Sequence, residues 1–251
     1  MEIYVLGSGT CVPSLKRGAP GIAVRLDGDT MLFDSGSGTL ERLLRVGIDY
    51  KEIDHLFYTH AHVDHTADLI PLLFALRNTP GFARTKGLGL WGSRGFLEFF
   101  AQLDALYGGW IHAETYTIAP REVPSDGVRL SGGRIIARHV RHRPDSVGYR
   151  VEARSGRVFA YSGDTDYCPE VVELSKKADL LFLDCATPDA YKAAGHLSPV
   201  FAGRIAREAG AKKLVLTHMY PICDDWDLRS ECEKEFAGEI VLAEDLMSFH
   251  L

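Results

Sequence analysis

Five cysteines in 251 residues, none of them in a C-x-x-C pair, leave this chain without a disulfide framework and without a thiolate metal site. Cys11, Cys168, Cys185, Cys223 and Cys232 are scattered, so reduced thiols and a cytoplasmic setting are expected. No apolar run approaches the ~18 to 20 residues of a membrane helix. Met1-Glu2-Ile3 leads straight into a strand-like stretch, without the basic and apolar regions of a signal peptide. Positive charge is in deficit: 28 Lys and Arg against 34 Asp and Glu give −6. That argues against a general nucleic-acid coat and leaves room only for a local basic patch. Gly7-Ser8-Gly9-Thr10 ends the first strand in a tight turn but lacks the third glycine of a dinucleotide fingerprint. There is no linker and no low-complexity stretch. An apolar content of 46% and a charged content of 25% are ordinary for a globular chain. The length suits a single α/β domain over residues 1–251.

What the chain does have is concentrated in His60-Ala61-His62-Val63-Asp64-His65. Ten histidines are spread over the sequence, yet three of them and an aspartate fall within these six positions. Leu56-Phe57-Tyr58-Thr59 before them is apolar and β-prone. Thr66 to Arg77 after them carries Ala67, Ile70, Leu73, Phe74 and Leu76, a one-sided helical pattern. The run therefore lies on a loop between a strand end and a helix start. His60 and His62 point the same way in an extended loop, while Asp64 and His65 face a second point nearby. Imidazole and carboxylate donors suit zinc, manganese or iron better than a thiolate-loving metal.

Other ligand-type residues also stand at strand ends. Ile22–Leu26 and Met31–Phe33 flank Asp27-Gly28-Asp29, a hairpin signal, and Asp34 follows, read as a turn former bonded to nearby amides. A helix with Leu40, Leu43 and Leu44 stops near Gly47. Leu88 to Trp91 reads as a strand and Phe96 to Leu106 as a helix. Arg77, Arg84, Lys86 and Arg94 lie near the polar, loop-like stretch 78–87 before that strand, either as a solvated rim or as anion binders. Val128 to Phe159 alternates in the β manner and holds Arg138-His139-Val140-Arg141-His142-Arg143. If that strand persists, His142 and His139 face opposite sides. Arg157–Tyr161 breaks at Ser162-Gly163-Asp164. Leu180–Leu183 ends in Asp184, and His196 precedes a helix from about Val200 to Ala209. Leu214-Val215-Leu216-Thr217-His218 repeats the strand-Thr-His arrangement of residues 56–60, and the strand Glu239–Leu242 closes the chain.

With these markers the sequence resembles the metallo-β-lactamase superfamily, whose His-x-His-x-Asp-His motif stands here as His60, His62, Asp64 and His65. The resemblance runs from Leu6-Gly7-Ser8-Gly9 to the final strand. It implies a four-layer αββα sandwich with a dinuclear metal site at the edge of the paired sheets. Leu6-Gly7-Ser8-Gly9-Thr10 with Pro13, Leu32-Phe33-Asp34-Ser35-Gly36, His142 with Gly148-Tyr149-Arg150, and Asp184-Cys185-Ala186-Thr187 with His196 are similar to the ribonuclease Z branch. By that resemblance His60, His62 and His142 hold one cation, and Asp64, His65 and His218 the other. Asp164 bridges the two, and a homodimer is implied.

Two features depart from the branch. Only 21 residues separate His142 from Asp164 (164 − 142 − 1), too few for the long arm that grips the tRNA elbow. Asp184 stands where the branch has Glu, one methylene longer, which puts its reach to His196 in question. Both departures, with the acidic balance, favour a small phosphodiester or nucleotide over whole pre-tRNA.

The expected chemistry is hydrolysis by water shared between two cations ~3.5–4 Å apart, acidified toward neutral pH. Asp64 holds the nucleophile and His196, oriented by Asp184, protonates the leaving group. Rival readings are tRNA 3′-end cleavage, hydrolysis of a lactone, thioester or β-lactam on the same metals, and a non-catalytic metal-binding scaffold.

Overall fold

The computed structural model describes residues 1–251 and contains fourteen strands and seven α-helices. One sheet holds β1 (Glu2–Gly7), β2 (Gly21–Leu26), β3 (Asp29–Phe33), β4 (His55–Phe57), β5 (Leu88–Gly92), β6 (Ile118–Glu122) and β14 (Ser248–His250), in the order β14-β1-β2-β3-β4-β5-β6. The other holds β7 (Val128–Leu130), β8 (Gly133–His139), β9 (Val147–Ala153), β10 (Val158–Tyr161), β11 (Leu180–Asp184), β12 (Lys213–Thr217) and β13 (Glu239–Leu242), in the order β13-β12-β11-β10-β9-β8-β7.

The two sheets are built alike. Antiparallel pairs come first, β1-β2-β3 in one and β7-β8-β9-β10 in the other. Parallel pairs follow, β3 to β6 and β10 to β13. Parallel neighbours need long crossovers, and helices fill most of these. On the first sheet they are α1 (Thr39–Arg45), α2 (Val63–Thr66), α3 (Leu69–Asn78) and α4 (Phe96–Leu106). On the second they are α5 (Pro169–Ser175), α6 (Pro199–Ala209) and α7 (Leu228–Glu233).

Side-chain alternation sorts the core into layers. In β3 and β4, Leu32 and Leu56 pack outward with Leu43, Leu69, Leu73 and Phe96 of the helices. Phe33 and Phe57 point inward, edge-on to Tyr149 of the second sheet at 5.4 and 5.6 Å. Phe33 also meets Phe159 at 6.1 Å. The result is the expected four-layer αββα sandwich, with a central apolar layer shared by both sheets.

Four local expectations change. The helix expected from Thr66 is broken into α2 and α3, because Asp68 donates its amide to Ser35 O (2.9 Å) and accepts from Leu40 N (3.0 Å). β8 ends at His139, so His142 lies beyond the strand, where only Arg141 bridges to Asp166. β6 escapes a propensity reading since it contains Pro120, which an edge strand tolerates. The chain closes on β14, which returns to the first sheet beside β1, and not on β13.

Candidate metal centre

Strand ends build the site. Asp34 follows β3, His60 comes three residues after β4, Asp164 follows β10, Asp184 ends β11 and His218 follows β12. Ligands in α/β sheets gather at such carboxyl ends. Asp34 and His218 hold left-handed backbone angles, φ +58° and +61°. Non-glycine residues take this conformation at a cost, and it is concentrated at functional sites.

Two groups of donors converge there. His60 Nε2 lies 2.9 Å from His62 Nδ1, which lies 3.3 Å from His142 Nε2. Nitrogens at 2.0–2.1 Å around a tetrahedral zinc stand about 3.3 Å apart, so these three are spaced as co-ligands. Opposite them, His218 Nε2 is 3.4 Å and His65 Nε2 3.8 Å from Asp64 Oδ2. Asp164 faces both groups. Its Oδ2 is 3.7 Å from His60 and 3.6 Å from His142, and its Oδ1 is 3.2 Å from both His65 and His218. His65 Nε2 and Asp164 Oδ1 are buried and have no hydrogen-bond partner. Buried polar atoms are rarely left so, and a divalent cation fits between them.

Electrostatics point the same way. Burial and the neighbouring His65, His62 and His142 push the His60 imidazole well below its ordinary pKa, which leaves its lone pair free. His65 is pushed up to about 10: burial opposes this, but Asp164 and Asp34 outweigh it. His218 is also raised, by Asp164, Asp184 and Asp64 against burial. Against the same burial, His218 and His65 hold Asp164 well below the carboxylate range. Carboxylates thus call for positive charge in this space, which imidazolium or a bound cation can supply.

The ring orientations come from a second layer. Asp34 Oδ2 accepts from His65 Nδ1 at 2.8 Å and from Tyr161 OH at 2.9 Å. The Thr59 hydroxyl donates its single proton to Asp34 (2.9 Å), so toward His60 Nδ1, at 3.0 Å, it accepts. That fixes the proton on Nδ1 and turns Nε2 inward. Asp34 therefore orients two histidines, a role beyond the turn former read from sequence, although it does accept the Thr59 amide at 2.8 Å. The signal was there: Asp34 and the Thr59-His60 pair end neighbouring parallel strands.

His142 is the histidine of the basic segment that joins the group, while His139 is exposed. Its Nδ1 donates to Gly195 O at 2.9 Å. One residue on, His196 Nδ1 meets Asp184 Oδ2 at 3.0 Å, so the shorter aspartate does reach. Asp184 is fully buried and also accepts from Thr165 N (3.1 Å). The His196 ring stacks on His218 at 5.4 Å and 9°, with 14% of its side chain exposed. Burial alone would lower its pKa, but the bond and charge of Asp184 raise it.

The basic residues near 77–94 divide by role. Arg84 is buried and donates to Lys86 O, Lys51 O and Gly87 O. Arg77 donates to Trp110 O and His112 O, and Lys86 pairs with Asp54 at 2.6 Å. Three of the four thus hold loops, and Arg94 is exposed.

Residues 30–219 match the family model described as a beta-lactamase superfamily domain. The chain belongs to the beta-lactamase superfamily. It is a metal-dependent hydrolase of the metallo-β-lactamase fold. A ribonuclease Z of Haloarcula marismortui is 30% identical over 98% of this chain and 96% of its own length. That alignment runs over 309 positions, so at least 58 positions of the relative (309 − 251) have no counterpart here. The metallo-β-lactamase fold protein YhfI of Bacillus subtilis has a TM-score of 0.85 at 26% identity, covering 99% of this chain and 98% of that one. A diphosphatase of the PhnP family has a TM-score of 0.73 at 25% identity, covering 100% and 97%.

Proposed function

We propose that this hydrolase is a dinuclear phosphodiesterase acting on a small nucleotide or other small phosphodiester. The observation that carries the reading is Asp164, which turns one oxygen to each donor group while the bonded pair His196–Asp184 stands beside them. His60, His62 and His142 would hold one divalent cation, and Asp64, His65 and His218 the other, with Asp164 between. Zinc suits this donor set, with manganese or iron as the alternatives. When bound, the cations acidify water and offset charge on the phosphoryl oxygens.

The remaining work falls to the chain. Asp64, with 16% of its side chain exposed, is the most open carboxylate of the donor set and accepts a hydrogen bond from the attacking water. Asp184 accepts the hydrogen bond of His196 Nδ1–H, which leaves Nε2–H to protonate the departing alkoxide. Against burial, Asp184 raises the His196 pKa, which favours the protonated ring this role needs. The sign follows: with the metals kept bound, activity on poor leaving groups persists below the His196 pKa and falls as pH rises through it.

At least 58 missing positions and a charge of −6 weigh against whole pre-tRNA, although RNA remains the alternative substrate. Hydrolysis of a lactone, thioester or β-lactam gives His196 less to do. A homodimer in the cytoplasm accompanies the proposal, the first on the resemblance to ribonuclease Z, the second on five free cysteines.

The test uses protein analysed for metal and assayed on bis(p-nitrophenyl) phosphate, a lactone and a thioester. Close to two metal ions per chain and preference for the diester are expected. His196→Ala should keep its metals and lose about 10²–10⁴-fold on a ribose-type leaving group, and far less on p-nitrophenolate. Equal losses on both leaving groups would remove His196 as the proton donor. Protein without metal, and inert after Zn²⁺ or Mn²⁺ is added, would end the reading.

A further inference from the structure

We propose that the apolar groove beside the metal centre is the subsite for the organic group that the substrate keeps on its phosphate, and that this group is a flat aromatic ring, nucleobase or aryl. The inference rests on the phosphodiesterase reading and narrows its substrate class. The groove runs between α2–α3 and α4 and encloses about 760 Å³, lined by ten residues of which eight are hydrophobic. This is the size of small-molecule sites, ~300–1,000 Å³.

Its position supplies the first argument. Ala61 and Val63 form one wall, and they alternate with His60, His62 and Asp64 in the donor run. The groove and the donor groups therefore share one loop. A phosphoryl group at the histidines would leave its ester substituent beside that loop. Val63 is 69% exposed at this edge.

The lining supplies the second. Phe74, Phe99 and Tyr107 are aromatic, and Ile70 lines the groove with them. Phe74 is 54% and Tyr107 45% exposed. The Thr66 hydroxyl is already donated to His62 O at 3.0 Å. Little remains to read the edge of a polar ring, so recognition rests on faces and tolerates different rings.

Continuity with the donor groups supplies the third. The 143–145 turn reaches the same mouth: a small cavity of about 20 Å³ is lined jointly by His60, Ala61, Phe99 and Asp145. Arg143 in that turn pairs with Asp145, its Nε 3.1 Å from Asp145 Oδ1. The donor groups and the apolar trough beside them match a ligand with an anionic head and an aromatic body.

The test compares methyl, cyclohexylmethyl and benzyl p-nitrophenyl phosphate on metal-loaded enzyme, with thymidine 5′-p-nitrophenyl phosphate to separate nucleobase from aryl. All share one leaving group. kcat/KM is expected to rise from methyl to cyclohexylmethyl to benzyl, by about 10-fold or more overall. In Phe74→Ala and Phe99→Ala the benzyl-to-methyl ratio should fall toward one. Phe74 is surface-exposed, so its variant keeps the test open if Phe99→Ala fails to fold. No hydrolysis of any diester would overturn the phosphodiesterase reading itself. Hydrolysis of all at equal rates, or a ratio unmoved by Phe74→Ala, would overturn the groove alone. A ratio unmoved while sedimentation shows the variants falling from dimer to monomer would make this face an interface between copies, and would overturn the proposal too.

Discussion

Asp34 touches neither donor group's centre, yet two histidines depend on it, His65 directly and His60 through Thr59. Partners of this kind are worth about 10–100-fold in metal affinity. Asp34→Ala should lower affinity by that order, measured by competition with a chelator, while Asp34→Asn should lose less. A variant with unchanged affinity would reduce Asp34 to a strand-end turn former. Protonation gives a second expectation. The raised pKa values of His65, about 10, and of His218 mean that the same nitrogens take either a proton or a cation. Metal binding should therefore release protons and weaken as pH falls. Titration at pH 6 and pH 8 in buffers of different ionisation enthalpy checks both, and affinity that rises on acidification would contradict them.

The loop 192–196 couples a donor histidine to the proton donor. Asp166 holds it, accepting from Lys192 Nζ at 3.0 Å and from Gly195 N at 3.2 Å. Gly195 O then fixes His142, and His196 follows. Gly195 has φ +82°, and a Cβ there would come 3.1 Å from His142 Nδ1. Gly195→Ala should move His142 and lose one metal ion per chain by elemental analysis. Asp166→Ala should retain fold by circular dichroism but blunt the leaving-group dependence that His196 confers. Full metal content and unchanged leaving-group dependence would show that the loop needs no such anchor. The break between α2 and α3 has a similar origin. The Ser35–Gly36 turn runs against α2, where a Cβ on Gly36 would come within 2.1 Å of Asp64 O.

The two ends of the molecule are tied at Asp245. Its carboxylate accepts from Ser8 N at 2.9 Å, Ser8 Oγ at 2.8 Å and Gly18 N at 2.8 Å, with Arg42 Nε at 3.7 Å. Met219 N, next to His218, donates to Ser8 O at 3.0 Å. Residues 8 and 245 thus brace the His218 end of the site from opposite ends of the sequence. Hydrogen bonds to a charged group contribute about 1.5–3 kcal/mol each and are not additive. Asp245→Ala should cost about 2–4 kcal/mol in urea unfolding, in one cooperative transition if residues 1–251 form the single domain proposed. A loss below ~0.5 kcal/mol, or two resolved transitions, would contradict this.

Much of the fold was legible because periodicity is local. The hairpin around Asp27-Gly28-Asp29, the helix Phe96–Leu106 and the buried strand at 180–184 carry their patterns in their own residues. The donor run was legible because histidines two and three apart on one loop are improbable without a cation. Other features were not local. β14 has three residues and exists because β1 offers it an edge. His142 left the strand because Arg141 pairs with Asp166, 25 residues on (166 − 141). The role of Asp34 needed β3 and β4 side by side, and the groove needed α3 beside α4. Sequence alone determined most strands and helices and the donor types, since these rest on patterns within one segment, while the layers followed only from the family resemblance. Tertiary structure decided which ring nitrogen faces inward, what orients it and what lies beside the site, because each depends on contacts between segments far apart in the chain.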